Sequence, residues 1–264
     1  MHKALTLLTF FVFANCGRAA VIAQYDFNGN TDDSIRGAGG AGLVTGTASY
    51  TDVSSGNKAF HFNGSTYITA ASVLGGYSTA TVSSWVKFDS FGSPWDVSTI
   101  VKDDWNAGGP IHFGTDDKKL SIATASGPYP SGYNGVTGTQ TLSTGQWYHF
   151  AFTFNGTSSN PFLKLYINGD EVGSQVIGAG AFNISPSGVM AFGAKLDPSG
   201  YPIDPSQQNL RGDMDGLVFF NAALSGSEIK SISNAGVGAV PEPSTISMLA
   251  IGLVGFALNR RRRS

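Results

Sequence analysis

Two carboxylates a few ångströms apart can cleave a glycosidic bond, so acidic pairs are the first residues to consider as catalytic groups. The chain has only three glutamates, and its neighbouring aspartates form the pairs Asp32-Asp33, Asp103-Asp104 and Asp116-Asp117. Adjacent residues of a strand point to opposite faces, so these pairs do not make a paired site by themselves. We expect each pair to lie in a solvated turn, and we predict no catalytic residue.

Histidines and nucleophile motifs give no stronger indication of catalysis. His61, His112 and His149 are far apart in the sequence and lack the spacing of a metal site. Lone histidines within strands are expected to be hydrogen-bonded parts of a sheet. The chain has no Gly-x-Ser-x-Gly motif, phosphate-binding loop or dinucleotide fingerprint. The sequence therefore predicts a protein that is not an enzyme, with a glycoside hydrolase as the less favoured alternative.

Two tryptophans lie in segments rich in polar and turn-forming residues, where they could contact a ligand. Trp95 follows Pro94, and Trp105 lies within the polar, glycine-containing run 103–109. Sugars stack on aromatic faces and hydrogen-bond to polar groups, and loops commonly carry such sites. In the alternative interpretation, the two rings only cover the edge of the fold. The predicted ligand-binding residues are Trp95, Asp103, Asp104, Trp105 and Asn106.

The rest of the chain has to position these loops, and its pattern is that of short strands. Runs rich in β-formers alternate with clusters of Gly, Asn, Ser and Pro, which is typical of a sandwich or barrel. The predicted strands are 21–27, 58–62, 67–69, 80–88, 98–101, 111–115, 119–124, 146–154, 162–167, 171–176, 189–192 and 211–220.

Side-chain alternation and turn residues support these strands. The run 147–154 places one tyrosine and three phenylalanines on one face and Trp147 on the other. We expect Trp147 and Trp85, which both lie in alternating strands, to be core residues. Asn168-Gly169 tolerates positive φ and predicts a tight hairpin. Ser225, with a glutamate three residues later, predicts the start of a short helix.

Composition and charge favour one β-rich domain. The 264 residues include 35 glycines, 13% are charged and 12% are aromatic, which suits a turn-rich all-β fold rather than a disordered chain. Residues 20–239 hold 10 basic and 17 acidic side chains, which gives a net charge of −7. A domain this acidic is a poor partner for nucleic acid or an anionic membrane. We predict a single domain over residues 20–237.

The N-terminus has the features of a secretory signal peptide. Lys3 precedes an apolar run, and small residues follow it up to a cleavage point after Ala19. We predict a signal peptide over residues 1–19, with cleavage after Ala23 or a lipid anchor on Cys16 as alternatives. Cys16 is the only cysteine, so removal of this segment would leave a mature protein without a disulfide.

The C-terminus combines three features in order: Pro241-Glu242-Pro243, an apolar stretch over 246–258, and the basic run Arg260–Arg263. The apolar stretch is short for a stable membrane span, which needs about 20 residues. The arrangement resembles the PEP-CTERM sorting signal. The resemblance implies a sorting tail over residues 238–264 with a short transmembrane segment, transient membrane insertion and processing by an exosortase. It also implies export to the cell surface or extracellular matrix of a Gram-negative bacterium; a simple tail anchor is the alternative.

Five motifs occur in order between residues 25 and 225. They are Tyr25-Asp26-Phe27-Asn28-Gly29-Asn30, Ala59-Phe60-His61-Phe62-Asn63-Gly64-Ser65, Thr81-Val82-Ser83-Ser84-Trp85-Val86-Lys87, Gln146-Trp147-Tyr148-His149-Phe150-Ala151 and Gly212-Asp213-Met214-Asp215-Gly216. Together they resemble the laminin-G-like domains of the concanavalin A-like lectin/glucanase superfamily. The resemblance implies an all-β fold, a two-sheet antiparallel jelly-roll sandwich, often used for carbohydrate binding or adhesion. The Glu-x-Asp-x-x-Glu motif of its sugar-cleaving branch is absent from the sequence.

The same resemblance implies one structural calcium ion. Relatives often bind calcium where the first strand meets the last, through an acidic side chain and backbone carbonyls. Matched to this sequence, Asp215 would be the side-chain ligand, and Asp26 and Gly64 would be neighbours that offer backbone oxygen. Asp215 is followed by Gly216, where relatives commonly have an acidic residue. In the alternative, Asp215 caps a strand end through backbone hydrogen bonds.

We therefore predict an exported, non-catalytic surface or matrix protein that binds or organises extracellular polysaccharide. One alternative is a structural or adhesive protein with another surface protein as its partner. A divergent glycoside hydrolase is the other.

Overall fold

The computed structural model describes residues 19–92, 97–102, 111–125, 133–157, 159–178, 184, 186–195 and 208–239. This part of the chain forms fifteen β-strands and one α-helix. The strands are β1 (Val21–Tyr25), β2 (Leu43–Thr45), β3 (Tyr50–Ser54), β4 (Asn57–Asn63), β5 (Tyr67–Ala71), β6 (Thr79–Phe88), β7 (Val97–Lys102), β8 (Ile111–Asp116), β9 (Lys119–Ala125), β10 (Tyr133–Thr141), β11 (Trp147–Asn155), β12 (Phe162–Ile167), β13 (Asp170–Val176), β14 (Val189–Phe192) and β15 (Arg211–Phe220); the helix is α1 (Gly226–Ala235).

The strands form two antiparallel sheets. The larger sheet has the order β13-β12-β11-β6-β15-β4-β3, and β1 also pairs with β15. The smaller sheet has the order β10-β9-β8-β7-β14-β5-β2. The two-sheet antiparallel jelly-roll sandwich that the sequence predicts is confirmed.

The core lies between the sheets and is built by alternation along each strand. On β11, Phe150 and Phe152 are fully buried in this core. They meet Phe113 of the smaller sheet, with ring centroids 6.4 Å and 4.9 Å apart. Edge-to-face aromatic pairs of this kind each add roughly 1 kcal/mol beyond the area they bury.

Every second residue of the larger sheet points away from the core, onto a surface that we term the outer face. Trp85 and Trp147 lie there and are half-buried, so the prediction that they are core residues is wrong. The reason is their phase in the alternation. Trp147 precedes the buried Tyr148, and Trp85 precedes the buried Val86.

Helix α1 covers one end of the outer face. Its capping box is formed as predicted: Ser225 Oγ accepts from the Glu228 N–H, and the Glu228 carboxylate accepts from the Ser225 N–H at 2.7 Å. Ile229 and Ile232 then pack in one apolar cluster with Tyr166 and other residues of the larger sheet. The opposite end of the outer face, around the start of β11, carries polar side chains instead.

Twelve of the strands were predicted from the sequence, with ends that differ by two residues at most. The predicted hairpin at Asn168-Gly169 is also confirmed, with φ of 51° and 81° at its two residues. Strands β2, β3 and β10 were not predicted. All three lie at sheet edges. β3 and β10 have few apolar residues and contain Asp, Gly or Asn, and β2 is only three residues long, so none gives a strong strand pattern.

The terminal strands of the two sheets, β10 and β13, lie against each other along one side of the sandwich. The approach depends on glycine: a Cβ on Gly173 would lie 2.7 Å from Val136 Cγ1, and one on Gly138 would lie 3.0 Å from Val172 Cγ2. The Gly135 N–H also donates to Gln175 Oε1 at 3.1 Å. This side of the sandwich is therefore closed.

Among the residues described, no helix has the length and apolar character needed to cross a membrane. The apolar stretch 246–258 and the predicted signal peptide up to residue 18 lie outside the described residues.

Candidate functional site

The five predicted ligand-binding residues, Trp95, Asp103, Asp104, Trp105 and Asn106, all lie outside the described residues. The strand between them is described. Trp95 precedes the first residue of β7, and 103–106 follow its last residue, so the two groups attach at opposite ends of that strand. Whether they form one site stays a prediction.

A polar site that the sequence did not predict lies on the outer face, centred on Asp213 of β15. This carboxylate is only 2% exposed. Its Oδ1 accepts from Thr51 Oγ1 at 3.0 Å and from His61 Nδ1 at 2.9 Å. Its Oδ2 is 2.6 Å from Lys87 Nζ. Three donors satisfy the buried charge, so Asp213 fixes the side chains of three neighbouring strands.

The strand register aligns this cluster with a tryptophan. Trp147 is paired with Lys87, Lys87 with Asp213, and Asp213 with His61. We term these four residues the cross-strand row. Because neighbouring strands lie about 4.8 Å apart, a row over four strands spans about 14 Å.

At one end of the row, the Lys87 ammonium lies over the Trp147 ring, 5.3 Å from its centroid. Lys87 thus forms a cation–π contact with Trp147 and an ion pair with Asp213. The two contacts hold the side chains of Trp147 and Asp213 in place. Strand β12 reaches only as far as Phe150. The flank of Trp147 away from Lys87 therefore lies beyond the end of the neighbouring strand.

At the other end of the row, His61 has 31% of its side chain exposed. Nδ1 faces the Asp213 carboxylate, which fixes the orientation of the ring and leaves Nε2 as its second nitrogen. Asp89, which directly follows the last residue of β6, has its Oδ2 4.0 Å from His61 Nδ1 and is half exposed. The site thus offers an aromatic ring, a cation, an imidazole and an open carboxylate.

The position of Gly212 allows β15 to lie this close to β6. Gly212 has φ of +147°, and a Cβ placed on it would lie 2.0 Å from the Lys87 carbonyl oxygen. Only glycine fits that contact, and it directly precedes Asp213. The same residue therefore allows the Lys87–Asp213 pair to form.

The predicted calcium ligand Asp215 lies where β15 changes partner. The N-terminal part of β15 pairs with β4, and its C-terminal part pairs with β1. The register of β15 with β6 shifts after Asp215. Asp215 is 1% exposed; Oδ2 accepts from Asn57 Nδ2 at 2.9 Å and Oδ1 from the Gly216 N–H at 2.8 Å. Burial raises the pKa of Asp215 to about 6, and the nearby charge of Asp26 adds to this.

The structure brings Asp26 and Asp215 together but leaves Gly64 apart. Asp26 directly follows β1, whose last residue, Tyr25, pairs with Leu217. Gly64 follows Asn63, the partner of Arg211 at the opposite end of β15. Its carbonyl oxygen accepts from Asn209 Nδ2 at 3.0 Å. Any cation held by the two aspartates would therefore lack Gly64 as a neighbour.

The three strand histidines differ in how they are satisfied. His61 pairs with Asp213, and His112 Nε2 lies 2.7 Å from Ser98 Oγ. His149 is 1% exposed, and neither ring nitrogen has a hydrogen-bond partner; its ring meets Trp85 edge-on at 5.3 Å. The expectation that each histidine is a hydrogen-bonded part of the sheet is therefore wrong for the His149 side chain, whose ring is buried against Trp85.

The described residues hold no cluster of three or more His, Cys, Asp or Glu side chains suited to a metal ion. Within the same residues, two carboxylates flank His61: those of Asp89 and Asp213. Asp213 already accepts from three donors, so it has little capacity left to act on a substrate.

The alternation of side chains along each strand is the sequence signal that could have placed the two tryptophans on the outer face. Trp147 and Trp85 are out of phase with the phenylalanines of β11 and with Val86. That phase already assigned them to the outer face. Pairing with Asp213, however, depends on strand order, and the order of β11, β6, β15 and β4 cannot be derived from alternation.

The described fold is similar to several solved structures. Domain 4 of AbnA, a GH43 extracellular arabinanase from Geobacillus stearothermophilus, solved in complex with arabinotriose, has 25% sequence identity and a TM-score of 0.61; the match covers 82% of this chain and 99% of that one. The binding domain of Paraclostridial Mosquitocidal Protein 1 has 16% identity and a TM-score of 0.65 over 82% of this chain. A structure of botulinum neurotoxin type C, whose cell entry depends on two ganglioside molecules, has 16% identity and a TM-score of 0.59, again over 82% of this chain. The match spans about half the length of these two toxin chains, 52% and 51%.

No curated protein matches the chain. Residues 239–263 match the PEP-CTERM protein-sorting motif. Residues 62–230 match the profile of the concanavalin A-like lectin/glucanases superfamily, of the laminin-G type. That match covers more than half of the chain, from β4 into α1, and the chain therefore belongs to the concanavalin A-like lectin/glucanase superfamily.

Proposed function

We propose that the protein is an exported, non-catalytic module that binds or organises extracellular polysaccharide. The observation that carries the proposal is the similarity to arabinanase domain 4, which covers nearly all of a domain solved with a bound arabinose oligosaccharide. Export follows from the sorting motif at residues 239–263, and the partners would be an exosortase during sorting and a polysaccharide afterwards.

The described geometry supports binding rather than catalysis. The outer face combines a half-buried tryptophan with fixed hydrogen-bonding groups, which is how proteins hold sugars. Glycoside hydrolysis needs one carboxyl group that donates a proton and another that attacks or activates water. Of the two carboxylates that flank His61, Asp89 and Asp213, the second is engaged with three donors. An adhesive protein that contacts another protein is the rival proposal.

Glycan binding is tested on an array of neutral and acidic polysaccharides that includes arabinan, probed with the full chain in mild detergent. We expect binding to a subset of the glycans, and loss of that binding in Trp105→Ala if the predicted loop site contributes. Silence across the array, combined with binding to a surface protein, would favour the adhesive alternative. Release of reducing sugar from any bound glycan would overturn the non-catalytic assignment.

We further propose that the Asp26–Asp215 pair holds one structural calcium ion. Two carboxylates lie near each other where the first and last strands meet, and neither forms an ion pair with a described residue. A cation would remove the repulsion between them and the cost of burying Asp215. Gly64 takes no part in this version of the site.

Chelation tests the calcium site. Removing calcium with EDTA is expected to lower the melting temperature by about 5–10 °C if calcium had been present at about 100 times its Kd. Asp215→Ala should lower the melting temperature as well and abolish any response to EDTA. A wild-type melting temperature that does not change with chelator would eliminate the site.

A further inference from the structure

We propose that the cross-strand row, with Asp89 beside it, is a binding site for a segment of uncharged polysaccharide on the outer face of the larger sheet. This inference rests on the proposed function, and it assigns that function to residues other than the predicted Trp95, Asp103, Asp104, Trp105 and Asn106. The row consists of Trp147, Lys87, Asp213 and His61.

The row has the chemistry that a sugar chain needs. A pyranose or furanose ring has an apolar face that packs on an aromatic ring, and hydroxyl groups at its edge. Trp147 supplies the aromatic surface, and it is half-buried beside the end of β12. Lys87 Nζ uses one donor on Asp213 and keeps others for hydroxyl oxygens.

The other end of the row supplies further hydrogen-bonding groups. The partly exposed His61 ring offers Nε2, and Asp89 offers a half-exposed carboxylate that can accept from two neighbouring hydroxyl groups. The groups are spread over about 14 Å, the width of four strands. That length suits an oligosaccharide segment rather than a single sugar.

These groups are also held before any ligand arrives. Asp213 is almost fully buried and ties Thr51, His61 and Lys87 in place, and Lys87 in turn lies over the Trp147 ring. A preorganised site loses little side-chain entropy on binding. A surface made of exposed side chains without such contacts would lose much more side-chain entropy when it bound a ligand.

Charge decides between neutral and acidic polysaccharides. Apart from His61, the row and Asp89 contain one cation and two carboxylates, and residues 20–239 have a net charge of −7. A chain of uronic acids would be repelled by Asp89 and by the domain as a whole. An uncharged polysaccharide is not.

The surface does not suit a protein partner. Protein interfaces bury a central apolar patch with aromatic anchors. The large apolar side chains that are exposed in the described part of the chain are Ile35, Leu43, Val176 and Val189, and none belongs to the row. The row itself is polar, with tryptophan as its aromatic component.

The test measures binding of the full chain to linear arabinan and a neutral β-glucan, with polygalacturonate as the acidic comparison. Trp147→Ala is expected to weaken neutral-glycan binding about tenfold or more, whereas Trp147→Phe should retain most of it. The matched control is Phe162→Ala on the same outer face. Phe162 also has a lysine over its ring, with Lys164 Nζ 5.6 Å from the centroid. It lies outside the row, and its replacement should leave binding unchanged.

A second variant tests the charge argument independently of folding. Asp89→Asn should weaken neutral-glycan binding a few-fold and at the same time strengthen the weak binding of polygalacturonate, because one repulsive charge is gone. A purely structural role for Asp89 would not change this selectivity.

The outcomes separate the two proposals. If the wild-type protein binds glycans and Trp105→Ala abolishes binding while Trp147→Ala does not, the cross-strand row is not the site and the proposed function survives. If the wild-type protein binds only polygalacturonate, the neutral-ligand assignment is overturned. If it binds none of the three, the assignment of the row to these glycans fails, whereas the proposed function fails only if the wider glycan array is silent as well.

Discussion

Gly212→Ala is expected to lower the free energy of unfolding by about 4 kcal/mol, which is about 10 °C in melting temperature for a domain of this size. The backbone at φ +147° is a region that L-residues with a Cβ rarely enter, and the added atom would lie 2.0 Å from the Lys87 carbonyl oxygen. Backbone cannot move aside as a side chain can. Strand β15 would have to separate from β6, which also breaks the Lys87–Asp213 pair. Thermal or denaturant unfolding followed by circular dichroism measures the loss.

Gly56→Ala is the matched control. Gly56 also has positive φ, +80°, but an added Cβ would meet no atom within 4 Å. The Gly56→Ala variant therefore measures only the cost of placing a Cβ at positive φ, a loss of about 1 kcal/mol in the free energy of unfolding. Equal losses in the two variants would show that the close contact between β15 and β6 contributes nothing.

His149 should make the protein sensitive to acid. Burial lowers its pKa to about 4 from the model-peptide value of 6.5, and neither ring nitrogen is hydrogen-bonded. Between these two values the unfolded chain binds a proton that the folded chain does not, so stability falls as pH decreases through this window. The loss from His149 should approach about 3 kcal/mol at pH 4, since one pKa unit corresponds to about 1.4 kcal/mol.

Two other buried groups modify the pH profile. Burial lowers the pKa of His112 to about 3, so it destabilises the fold in acid in the same way. The raised pKa of Asp215, about 6, acts in the opposite direction: in chelated protein its protonation between about pH 6 and 4 favours the folded state. The free energy of unfolding lost through the two histidines exceeds the gain from Asp215, so we expect the protein to be less stable in acid.

Replacement of His149 separates titration from packing. His149→Leu and His149→Gln both remove the titrating group, so both should reduce the loss of stability between pH 6.5 and 4. Only the leucine variant also removes the unsatisfied polar atoms, and it should gain about 1 kcal/mol at neutral pH. Unfolding free energies at several pH values distinguish the two. An unchanged acid slope in both variants would contradict the burial of a neutral imidazole at this position.

Much of the fold could be predicted from local sequence. Interior strands give the clearest signal, and β11 stands out because its tyrosine and three phenylalanines recur with period two. The hairpin at Asn168-Gly169 follows from turn chemistry, and the start of α1 follows from the Ser225 cap. Edge strands such as β3 bury too little apolar surface to produce this signal.

The candidate site was less accessible to sequence reasoning. Aspartates near the junction of first and last strands could be expected from the family resemblance, and the structure does place Asp26 near Asp215. The cross-strand row could not, because Trp147, Asp213 and His61 come from strands whose adjacency is fixed only by the global topology. Residues that are far apart in sequence share one surface, and no local spacing encodes that.

The closed side formed by β10 and β13 has a consequence for molecules crowded together at high concentration. An open strand edge can recruit a strand from a neighbouring copy and begin an ordered aggregate. On the closed side the two edges face each other, so neither is available as a template. Elsewhere, β2 has only three residues and β3 is interrupted by a register shift between Asp52 and Ser54. The sandwich can therefore accumulate at high local density and remain a set of separate molecules.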